Sequence, residues 1–265
     1  MTNDQLTGSM IFGMIPLLSA IRANRGSSLM HALIWASIAW LAWTLVFALE
    51  SADRATVNPW RYAALCLVGG AGVAVLGARR PHVGAWNFVV IGLLAVMVLP
   101  VAERMLLDTD STDGVRLYFL IGTLAVGALN YLPTRLALAS LWMLLWCAGE
   151  LLLLHAPDRL PSWLETTAID AMLPVLPWLI WMCLMRRKDS ASSADRLWRD
   201  FRDRFGLVWS QRVREQFNHA AEHAGWPITL GWSGLNETGD AIEASDRAKI
   251  EATLRATMQR FLPTV

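Results

Sequence analysis

The sequence predicts an all-α polytopic membrane protein. It reads as seven transmembrane helices, or six if the first apolar run does not cross, followed by a small, mainly helical cytoplasmic tail. Three observations predict this. Apolar runs close to the ~20 residues that a helix needs to cross a hydrocarbon core recur through the first 188 positions. Hydrophobic residues make up 55% of the 265 and charged residues 17%, where a soluble domain carries about 25% charge. The last apolar run ends at Arg186, Arg187 and Lys188, and beyond it the composition is that of a water-soluble segment. The chain therefore divides into a bundle, 1–188, and a tail, 189–265.

The first run, near 6–21, is short and holds Gly13 and Pro16. At 1.5 Å per residue it only just spans a core of about 30 Å. The second, near 28–49, is apolar throughout and carries Trp35, Trp40 and Trp43. The third, near 60–78, holds Gly69, Gly70 and Gly72; Gly70 and Ala74 are a small-xxx-small pair. Small residues let helix backbones approach in lipid, which is favoured here over an unwound, substrate-lining segment. Arg79-Arg80-Pro81-His82 is a basic turn into the fourth run, near 83–102, so the third and fourth form an antiparallel hairpin. The fifth, near 115–132, and sixth, near 136–154, are joined by the tight turn that starts at Asn130. The seventh, near 166–185, contains Pro174 and Pro177. A proline inside a helix removes one hydrogen bond and clashes with the preceding turn, so a kink is expected there.

Orientation follows from arginine. Alternate connections hold Arg22 and Arg25, then Arg79 and Arg80, then Arg135, then Arg186, Arg187 and Lys188. The others hold fewer bases and nearly all the acids, among them Glu50, Asp53, Glu103, Asp108, Asp110 and Asp113. Lys and Arg favour the cytoplasmic side. The expected location is a bacterial inner membrane, with the N-terminus outside and the tail in the cytoplasm. There is no basic n-region and no cleavage site of a signal peptide.

In the tail, 195–224 reads as a helix. Leu197, Phe201, Phe205, Trp209, Val213, Phe217 and Ala221 recur every four residues. On a 3.6-residue helix such a row drifts about 40° per step, so the helix must curve or break, and Gly206 is the expected break. A short strand at 227–232 and a second helix at 245–262, with Ile250, Leu254, Met258 and Phe261 on one face, complete the tail.

Asn87, Glu150 and Asp170 are the polar groups nearest membrane depth, and intramembrane ionisable groups are functional candidates by default. Glu150 and Asp170 lie near the outer ends of their spans. The favoured reading is interfacial: they reach water, or pair with Arg61 or Arg116. Asn87 is expected to bond a neighbouring helix. Trp198, Phe201, Phe205 and Trp209 alternate with Arg196, Arg199, Arg202 and Arg204. That pattern suits a helix that docks a protein partner or lies on the bilayer, and equally suits the tail's own core.

His219-Ala220-Ala221-Glu222-His223 resembles the H-x-x-E-H motif of the zinc peptidases called inverzincins. The resemblance covers five residues. It implies zinc held by His219 and His223, and the other reading is a solvated helix face. His31 and His82, both near the cytoplasmic face, are candidates for bis-histidine haem, though no CxxCH is present. The expectation is that neither cofactor is used. Retinal chemistry is excluded, because no lysine precedes Lys188. Nucleic acid is not an expected partner, since acids neutralise every basic stretch. Cys66, Cys147 and Cys183 lack disulfide or redox spacing and read as buried apolar residues.

No catalytic constellation stands out. The leading expectation is a scaffold or complex subunit whose tail docks a partner. The rival is a transporter or membrane enzyme that uses Asn87, Glu150 and Asp170 around a pocket between spans.

Overall fold

The computed structural model describes residues 3–49, 54–79, 83–107, 114–156, 166–185, 192–237 and 244–261. The elements are α1 (Asn3–Ala23), α2 (Met30–Leu49), α3 (Arg54–Ala74), α4 (Val83–Leu107), α5 (Gly114–Leu129), α6 (Ala137–His155), α7 (Thr166–Asp170), α8 (Met172–Met185) and α9 (Ser193–His223). A hairpin of β1 (Ile228–Leu230) and β2 (Leu235–Glu237) and a last helix, α10 (Ala244–Met258), follow. A 3₁₀ turn, Val75–Gly77, extends α3.

Among the described residues six helices are long and apolar enough to cross a membrane. The fold is all-α and membrane-like. Length redistributes the doubt about which run falls short. The first run, the shortest by sequence, lies within a helix of 21 residues, whereas α5 has 16, ~24 Å of helix. The outer surface of the bundle is apolar: Phe12, Phe88, Tyr118 and Leu145 are all exposed. A water-soluble surface does not sustain an apolar patch of that extent, and a helix apolar on every side, as α2 is, belongs in lipid.

The most buried span is α3, which packs on α2, α4 and α5 and touches α6. Its glycines explain the fit. A Cβ at Gly72 would meet the Cα of Gly127 on α5 at 3.0 Å, so here backbone packs on backbone. Gly70 instead meets Leu94 of α4. The glycines thus act by close approach, as expected, but the closest pair is Gly72 with Gly127. Gly72→Leu must force α3 and α5 apart. A loss of about 1–3 kcal/mol is expected from overpacking, read as a lower melting temperature of the detergent-solubilised protein.

The seventh run breaks at Ala171, between α7 and α8. Pro174 has no N–H for the Asp170 carbonyl, and its ring crowds that carbonyl. Just past the break, the Met172 carbonyl accepts a hydrogen bond from Trp142 Nε1 of α6 at 2.8 Å.

Three described turns meet the tail at one end of the bundle. Ser28, before α2, donates its amide N–H to the Phe261 carbonyl (3.2 Å) and its hydroxyl to the Ala78 carbonyl (2.8 Å). Trp209 Nε1 of α9 donates to the Val75 carbonyl at 3.1 Å. The turn between α5 and α6 bonds α9 through Asn130 and through Arg135, whose Nε lies 2.9 Å from Asp203.

Within the tail, Ser192 caps α9 by accepting the Asp195 amide at 3.0 Å. The helix breaks at Gly206, where φ is 74° and ψ −166°. The expected strand exists as β1, and it pairs antiparallel with β2. Helix α10 docks on α9, and Glu251 accepts the Ser193 hydroxyl at 2.5 Å and an Arg255 N–H at 3.0 Å. Those donors hold its carboxyl below the usual carboxylate range. All three cysteines are free and buried.

Candidate functional site

The expectation that Glu150 and Asp170 reach water is corrected by the structure. Glu150 is 0% and Asp170 4% exposed, and both converge on Arg61, itself 4% exposed. Sequence reasoning named Arg61 as one of two candidate partners, and it is the one used. Glu150 lies 3.4 Å from Arg61 Nε, and Asp170 is in direct contact with Nη2. Arg116 pairs with Glu103 instead.

Local structure explains the convergence. Arg61 and Leu65 share a buried face of α3 one turn apart, so the guanidinium enters the bundle. Trp146 and Glu150 stand one turn apart on α6 and point the same way. Asp170 is the last residue before the proline-induced break, which turns it inward. The Arg61 guanidinium carbon sits 5.6 Å from the Trp43 ring centroid on α2, a cation–π contact. Trp146 meets Trp43 edge-on at 5.0 Å. The indole nitrogens of Trp43 and Trp146 are buried and have no hydrogen-bond partner among the described residues.

The centre lies in the half of the bundle remote from the tail. Glu150 is five residues from the end of α6, ~8 Å along the axis. One guanidinium faces two carboxyl groups in surroundings walled by indoles. Low polarity strengthens each attraction and makes any unbalanced charge costly.

Asn87 is not part of this centre. It stands near the start of α4, at the tail end, where its Oδ1 accepts Trp35 Nε1 at 3.3 Å. Its Nδ2 therefore points to His31 Nδ1, 2.9 Å away. The amide bonds a neighbouring helix, α2, as expected. The haem pairing of His31 with His82 lies outside the described residues, because His82 does.

His219 and His223 stand on an exposed face of α9 with ring centroids 4.4 Å apart. Among the described residues no group of three His, Cys, Asp or Glu side chains is arranged to hold a metal.

Trp198, Phe201, Phe205 and Trp209 are buried at 0%, 3%, 1% and 7% exposure. Phe261, from the turn after α10, is the hub of three of them: its ring centroid lies 5.1 Å from Phe201 and 5.2 Å from both Phe205 and Trp209. The four aromatics occupy the tail's own core and present no outward face, so a protein that touches the tail meets other residues.

Two features escaped sequence reasoning. The Trp43–Trp146 wall has no sequence signal beyond two tryptophans in separate apolar runs. Asn130 reads as an ordinary turn residue, yet its side chain accepts the Val208 amide at 3.0 Å and donates to the Phe205 carbonyl at 3.4 Å. Its backbone carbonyl accepts the Leu207 amide at 2.7 Å. One residue thus supplies partners for backbone groups freed where α9 breaks.

Comparison with protein-family models, with curated proteins and with solved structures finds no match to this chain.

Proposed function

We propose that the chain is a seven-span protein of a bacterial inner membrane that works as a small-molecule transporter, with Arg61, Glu150 and Asp170 as the centre that couples movement to a proton or another small cation. In this reading the N-terminus is outside and 189–265 lie in the cytoplasm. Support for the orientation comes from the arginines of alternate connections and from the described turns of that set meeting the tail.

One observation carries the functional reading: two carboxyl groups share one guanidinium inside the bundle. Buried carboxyl groups on one guanidinium make the contacts between helices sensitive to charge, because a change of charge in such surroundings costs several kcal/mol. A proton or small cation that arrives at the centre and departs from it changes the attraction between α3, α6 and α7. Asp170 also sits at a break in its span, and discontinuous helices are where transporters place coupling-ion sites. Broken backbone at membrane depth is tolerated where protein or a cavity covers it.

The test is charge movement. Purified protein in proteoliposomes on a solid-supported membrane is subjected to jumps in pH, sodium and potassium. A transient current is expected with at least one of the three, and it is expected to disappear in Asp170→Asn and Glu150→Gln proteins that still melt cooperatively. No current under any jump, or currents identical in both variants, would refute the reading.

A further inference from the structure

We propose that the cavity between the tail and the end of α3 binds a phosphate-bearing anion. The cavity has a volume of about 370 Å³, within the range of about 300–1,000 Å³ that small-molecule sites occupy. Arg79 enters it from the end of the 3₁₀ turn, Arg212 and Gln216 from α9, and Thr253, Thr257 and Arg260 from α10 and the turn after it. The floor is Trp209 and Phe261, whose rings pack at 5.2 Å.

Helical spacing brings these groups together. Trp209, Arg212 and Gln216 follow one face of α9. Thr253 and Thr257 follow one face of α10, and Arg260 continues it. The Trp209–Val75 hydrogen bond pins α9 over the end of α3, which brings Arg212 to Arg79. The Phe261 ring against Trp209 brings Arg260 to the same rim.

The lining contains three guanidinium groups and no carboxylate. Among the described residues none of the three is in an ion pair, although Arg116, Arg135, Arg202 and Arg255 each take a carboxylate partner. Like charges gathered round a concavity repel one another and draw in an anion. Guanidinium forks match phosphate oxygens two at a time. Three of them suit a group with two or more negative charges better than a single carboxylate. The threonine hydroxyls and the Gln216 amide add neutral hydrogen-bonding groups, and the aromatic floor accepts an apolar part of the ligand.

Arg79 follows the apolar span directly, so the cavity opens at the membrane surface. A lipid headgroup phosphate and a free phosphate compound can both present this chemistry. Full-length protein is prepared in two kinds of nanodisc, one of phosphatidylcholine alone and one containing phosphatidylglycerol. Inorganic pyrophosphate is titrated calorimetrically into the first, and retained phosphatidylglycerol is counted by native mass spectrometry after release from the second. Saturable binding is expected with at least one probe. Arg212→Gln/Arg260→Gln is expected to weaken it about tenfold or more, as loss of charge-assisted hydrogen bonds predicts. Arg212→Lys/Arg260→Lys, which keeps the charge and loses the forks, is expected to weaken it less. Arg247→Gln, on another face of α10, is expected to leave it unchanged. Pyrophosphate binding in phosphatidylcholine discs identifies a free phosphate compound as the ligand, and retention of phosphatidylglycerol alone identifies a lipid. Binding of neither probe overturns the proposal, as does binding that the glutamine pair leaves intact.

Discussion

Arg61→Met is expected to destabilise the protein by about 3–5 kcal/mol, the cost of leaving buried charges without their partner. Glu150 and Asp170 would remain in the bundle without the Arg61 guanidinium, at 0% and 4% exposure. The result should be a large drop in yield and in the detergent melting temperature, followed by tryptophan fluorescence. The triple variant Arg61→Met/Glu150→Gln/Asp170→Asn removes these three charges together, and most of the lost stability is expected to return. Buried ion clusters replaced as a unit often cost little, because the desolvation of all members is relieved together. Charge movement would be absent from the triple variant although it folds. That separates holding the bundle together from coupling. An Arg61→Met protein as stable as the parent would show that the centre is open to water.

The second large effect is expected at the break in α9. Gly206 adopts a backbone conformation that is essentially glycine-only, and a Cβ there would strike the Asn130 side chain and carbonyl. Gly206→Ala should cost about 1–3 kcal/mol from strain alone, with the clash added. Asn130→Ala should cost about 1–3 kcal/mol for each backbone group it leaves without a partner. The two residues form one joint, so the double variant should lose less than the sum. Limited proteolysis should show the tail cut faster in each variant while the bundle stays intact. A strictly additive pair would mean that the break and the turn are independent.

What could be read from the sequence was whatever depends on local pattern. Runs of apolar residues placed the helices, with α3 starting six positions before its run and α4 ending five after its own, and the four-residue row from Leu197 to Ala221 required a break that falls at Gly206. The prolines of the seventh run announced the interruption at Ala171. What could not be read depends on which faces meet across large sequence separations. Glu150 lies near the end of its span, where proximity to water is the default. Only the rotation of α3 that brings Arg61 inward, and the turn that brings Asp170 beside it, bury the carboxyl. Likewise the aromatics of α9 look the same whether they face a partner or Phe261. Asn130 carries no signal at all, because its partners are backbone groups that exist only once α9 has broken.

The stitching of the tail to the three described turns has a consequence for biogenesis. The ribosome delivers Phe261 more than two hundred residues after Ser28, whose amide its carbonyl accepts. Until then the Ser28 amide lacks this acceptor, and Trp209 and Phe205 lack the ring they pack against. The fastening of the turn before α2 therefore waits until every apolar helix of the bundle has been made. A chain stopped short of Phe261 is expected to keep its helices and to lack this fastening.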